Sequence, residues 1–140
     1  MSNTDHLLGW VVETVLDWKQ NGIKLQPGIS LDAIGELENR LQLKFPIDFK
    51  EFYQQANGCE YFGMTEGYYS LWSLERILKE YEKNSNVNYV GFCDYLINSY
   101  SFGFFKNRNG IFQEFNQFEV KGETFKQFIE LINDYSDKLY

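Results

Sequence analysis

At Gly58 the spacing of apolar residues changes, and that change restricts the chain to folds that combine helices with a sheet. Upstream of it the spacing is helical. In residues 3–21, Leu7, Leu8, Val11, Val12, Val15, Leu16 and Trp18 recur three and four positions apart, as one face of a helix does. Ser2 or Thr4 can cap its start, and Asn21-Gly22 ends it. Ser30 supplies the N-cap of a second helix whose buried face is Ile34, Leu37 and Leu41. A third follows in FPIDFKEFYQQANG, where Pro46 suits the first helical position and Phe49, Phe52, Tyr53 and Ala56 form the stripe. Asn57-Gly58 permits a left-handed stop, and Asp48, Lys50 and Glu51 fall on the opposite, solvated side.

Downstream of Gly58 the pattern is mainly that of strands. Residues 68–72 read as a strand, and Ser73 caps a helix carrying Leu74, Ile77, Leu78 and Tyr81. Stretches 89–97, 99–105 and 111–115 are rich in aromatic and β-branched residues. Asn107-Arg108-Asn109-Gly110 suits a hairpin loop between the last two, because Asn and Gly readily adopt positive φ. A final helix starts at a Thr124 cap and carries Phe125, Phe128, Ile129, Ile132 and Tyr135. The expectation is a single α+β domain over residues 1–140, a mainly antiparallel sheet with N-terminal, intervening and C-terminal helices.

Charge and composition narrow the partners. Twenty carboxylates against thirteen Lys and Arg give a net charge of −7, and the basic residues do not cluster, so nucleic acid is excluded as an expected partner. An acidic surface instead favours encounter with basic proteins. Aromatic residues make up 19% of the chain, enough for a large core with a Tyr-rich margin that also suits a binding surface. No run approaches the roughly 18–20 apolar residues of a membrane span. Residues 1–5 are polar and acidic rather than leader-like, so the expected location is the cytoplasm, with no membrane partner.

Few enzymatic chemistries fit. The single His, His6, lies at the chain end, and a triad or an imidazole base needs a positioned ring. Cys59 and Cys93 are isolated and read as small buried hydrophobes, not as a disulfide framework or a zinc site. Neither a metal nor a cofactor is implied, and the scattered glycines form no phosphate-binding loop. Asp94, Glu114 and Glu119, on or beside strands, are the carboxylates from which a hydrolase would have to be built.

The assembled residues resemble the SUKH superfamily, which includes bacterial toxin-immunity proteins and a fungal regulator of cell-wall synthesis. The resemblance is carried by Ile29-Ser30, Ile34, Leu37-Glu38, Leu41, Phe45-Pro46, Phe49, Phe52-Tyr53 and Asn57-Gly58. It continues in the strand Phe92-Cys93-Asp94-Tyr95-Leu96-Ile97, Ser99 and the hairpin Gly110-Ile111, with Phe-Pro where Leu-Pro is usual. It implies an α+β domain without catalytic residues that neutralises a cognate toxin, often a nuclease, by direct binding. A regulatory interaction module with an endogenous partner is the alternative. For partner contact we single out the loop residues Glu60, Tyr61, Glu66, Tyr68 and Tyr69, then Asp94 and Tyr95, which combine charge with rigid aromatic area. The expected assembly is a monomer or weak homo-oligomer.

Overall fold

The computed structural model describes residues 3–60, 63–65, 68–84, 86–95, 100–114 and 118–134. Helix α1 (Asn3–Gln20) buries Val11, Val15 and Trp18, while Val12 and Leu16 of its expected apolar face are exposed. Trp18 packs edge-on against Phe52 and donates its indole N–H to Asn133 at 2.7 Å, tying the first helix to the last. After Gly22, at φ +82°, the chain forms β1 (Leu25–Pro27), then α2 (Leu31–Leu41) with Ser30 accepting the Ala33 N–H as its cap.

Buried polar contacts close the next turn. Glu38, on the inner side of α2, accepts the Phe45 N–H at 2.7 Å and pairs with Lys50 at 3.2 Å, so the α2 carboxylate fixes the start of α3 (Ile47–Gln55). Pro46 stands one position earlier than expected, at the N-cap. The expected solvated side of α3 is instead engaged: Lys50 holds Glu38, and Asp48 accepts the Lys126 N–H at 2.9 Å.

Asn57-Gly58 does not stop α3 in the expected way. The helix ends at Gln55, and Ala56 goes directly into extended β2 (Ala56–Cys59), which pairs with β1. Asn57 accepts the Leu74 N–H at 2.9 Å and donates to Glu75, capping a different helix, α4 (Leu74–Lys83). Gly58 does have positive φ, +72°, but its role is proximity: a Cβ there would lie 2.5 Å from the Trp72 backbone.

Five strands form an antiparallel meander in chain order: β3 (Tyr69–Leu71), β4 (Tyr89–Tyr95), β5 (Tyr100–Phe105), β6 (Arg108–Glu114) and β7 (Phe118–Gly122). The β5–β6 turn is tighter than expected, since Phe105 already pairs with Arg108, and Gly110 takes φ +112° within β6. β7 was not expected from the sequence: FEVKG mixes charge into an edge strand, with Val120 exposed and Lys121 paired to Glu119.

One face of the sheet carries the core. Phe92, Phe102 and Phe104 meet α3 and α5 (Phe125–Asn133) through Phe49, Phe125 and Phe128, with ring centroids 5.0–5.9 Å apart. Such tilted and edge-on pairs are the arrangements that ring quadrupoles favour. The opposite face carries Gly91, Asp94, Ser101 and Glu114, and α4 runs on from β3 beside β4.

Candidate partner-binding face

The loop between β2 and β3 is tied at both ends. Glu60, exposed, donates its N–H to the Lys24 carbonyl at 2.8 Å, and the Ser70 hydroxyl donates to the Gly63 carbonyl at 2.6 Å. Thr65, buried, exchanges hydrogen bonds with Tyr69 through backbone and hydroxyl. Tyr68 closes that turn, 53% exposed, with φ +71° and its N–H bonded to the Thr65 carbonyl. Left-handed backbone at a residue with a Cβ costs about 1–2 kcal/mol, which the flanking hydrogen bonds hold in place.

The seven expected contact residues separate by burial. Glu60 and Tyr68 are exposed, and Tyr61 and Glu66 lie outside the described residues. Tyr69 and Asp94 are corrected: at 2% and 3% exposure they are interior. Tyr69 pairs across strands with Tyr95 and packs against Phe102, on the core side of the sheet. Asp94 accepts the Trp72 indole N–H at 2.6 Å and pairs with Arg76 at 3.0 Å, while Arg76 lies 4.7 Å over the Trp72 ring. Strand alternation places these two on opposite faces, and both are covered. Tyr95 is half-buried and stacks on Tyr100, centroids 5.6 Å apart at 12°.

The carboxylates weighed for hydrolysis each have a different partner: Asp94 the Arg76–Trp72 pair, Glu114 the Ser101 hydroxyl at 3.2 Å, Glu119 the Lys121 ammonium at 3.3 Å. Both cysteines are free and buried. Burial pushes the Cys59 thiol up to about 11 and that of Cys93 well above its ordinary value, so neither is a thiolate at neutral pH. His6 lies in the first turn of α1. No helix among the described residues is long and apolar enough to cross a membrane.

A buried acid at Glu38 clamping the Phe45-Pro46 turn, an Asn57-Gly58 pair locking α3 to α4, and a five-stranded meander backed by α5 form one unit spanning most of the chain. The profile of the SMI1 / KNR4 family (SUKH-1) matches residues 28–134. The chain belongs to this family. The SUKH family comprises toxin-immunity proteins and SMI1/KNR4 regulators, in general non-enzymatic modules that bind partner proteins. No curated protein matches the chain. As a SUKH-1 domain, its matched segment begins just before α2 and ends at the close of α5, leaving α1 outside.

The groove beside α4 was missed in the sequence. Trp72, Gly91 and Ser101 read there as strand residues, and only the strand register brings them to one face.

Proposed function

We propose that the chain is an immunity protein that neutralises a basic toxin domain, a nuclease in the favoured case, by direct binding in the cytoplasm. Membership of a family that includes such proteins supports this reading. The observation that carries it to this chain is Tyr68, an exposed aromatic held at positive φ in a hydrogen-bonded loop that also carries the exposed Glu60. An exposed aromatic and an exposed carboxylate in one loop, on a chain of net charge −7, suit an electropositive partner. Because a nuclease must hold phosphates, its active face is basic, and an acidic surface laid over it excludes the substrate.

The test is growth of cells producing the C-terminal domain encoded immediately upstream, with and without this chain. Rescue with a co-purifying complex supports immunity. Persistent toxicity with the chain abundant and folded overturns it for that pair. The family's SMI1/KNR4 branch favours the second reading, a regulatory module, for which the partner is an endogenous protein and no toxin is encoded alongside.

A further inference from the structure

On the face of the sheet turned away from α5, α4 and strands β4 to β6 enclose a groove of about 330 Å³. The floor is kept low by Gly91, where a Cβ would come 3.0 Å from the Trp72 ring. One wall is a hydrogen-bond chain. Ser101 gives its only hydroxyl proton to Glu114, at 3.2 Å, so in its 2.8 Å contact with Tyr89 the phenol is the donor. Burial pushes the Tyr89 phenol upward and keeps that proton in place. The other wall, on α4, contributes Glu80, half-buried like Glu114.

Strand register explains what the groove is built to hold. Asp94, Ser101 and Glu114 are successive cross-strand partners on β4, β5 and β6, forming one row with a carboxylate at each end. At the Asp94 end the row already binds a guanidinium: Arg76 pairs with the carboxylate at 3.0 Å and lies over the Trp72 ring. At the Glu114 end a second carboxylate lines the groove, joined through the Ser101 hydroxyl to Tyr89, while the buried Trp72 and Tyr89 rings form its floor and wall. Among the described residues no ion pair reaches Glu114, and Lys83, at the rim, is exposed.

We propose that this groove receives an arginine side chain of the bound partner, its guanidinium directed at Glu114. A planar fork matches a carboxylate through two parallel hydrogen bonds, which an ammonium cannot do. The volume lies in the range of small-ligand pockets and admits one long side chain. This deepens the protein-binding reading above by naming the chemistry that the partner must present.

The groove can be tested without that partner. N-acetyl-arginine amide is titrated into the ¹⁵N-labelled full chain, with the citrulline and lysine analogues as controls, following the Trp72 indole and the Ser101 and Glu114 amides. Expected are saturable shifts at millimolar arginine, absent with citrulline, smaller with lysine, and weakened about tenfold by Glu114→Gln. If Glu114→Gln fails to fold, Glu80→Gln on α4 serves in its place, with a smaller weakening expected. Equal responses to arginine and citrulline, a preference for lysine, or no response to either substitution overturns the proposal. Failure here with growth rescue intact moves the partner to another surface; success here with failed rescue leaves the groove and removes the toxin.

Discussion

Tyr68 and Asp94 carry opposite kinds of importance, and substitution separates them. Tyr68 stands at φ +71° and is exposed, so Tyr68→Gly removes aromatic contact area together with backbone strain. Its unfolding midpoint is expected to be unchanged or higher, while affinity for the partner falls about tenfold or more; urea denaturation and calorimetry measure the two. Asp94→Ala does the reverse. It removes the carboxylate that accepts the Trp72 N–H and pairs with Arg76, at an expected cost of about 3 kcal/mol in denaturant unfolding. Any loss of binding should then follow the loss of folded protein. Both residues were singled out in the sequence for the same reason, a charge or ring in a region rich in aromatics. Only burial distinguishes them, and strand alternation does not say which face is covered.

At the scale of elements, start signals were more legible than stop signals. Ser30, Ser73 and Thr124 each accept a hydrogen bond from the backbone three residues on, as their positions before apolar runs imply. The amphipathic stripes of α2, α3 and α5 are buried as read within those helices, because helical spacing leaves one way to hide them; Ala56 of the expected α3 stripe falls in β2, and Tyr135 lies outside the described residues. Asn57-Gly58 was misread because its partner is distant in sequence: Asn57 caps α4 from seventeen residues away, through the Leu74 N–H. Asn57→Ala orphans that donor and releases Glu75. We expect a loss of about 1–2 kcal/mol, seen as a lower thermal midpoint and faster hydrogen exchange at Leu74. β2 and β7 escaped notice for related reasons. ANGC is too short and turn-like to read as a strand, and FEVKG is an edge strand whose pairing with β6 supplies what its composition lacks.

Across the whole molecule, the interior is aromatic and holds thiols and phenols in their protonated forms, while the chain as a whole is acidic. Burial raises the thiols of Cys59 and Cys93 and the phenols of Tyr53 and Tyr89. The folded chain therefore keeps protons that the unfolded chain begins to release near the ordinary thiol value of 9.0. Stability should be intact below that pH and decline as pH rises through about 11, where the Cys59 thiol titrates in the folded state; urea midpoints at successive pH values measure it. The α+β class was readable because the switch of apolar spacing at Gly58 separates helical from extended segments. The groove at Glu114 was not, since it exists only once three strands are in register. The net charge of −7 frames the account's central claim, direct capture of a basic protein. Calorimetric titration of the catalytically inactivated upstream domain into this chain, at low and high salt, tests it most directly. The account predicts a saturable one-to-one complex that weakens as salt rises and weakens about tenfold on Glu60→Lys. Absence of binding, or an affinity indifferent to both salt and the charge reversal, would contradict it.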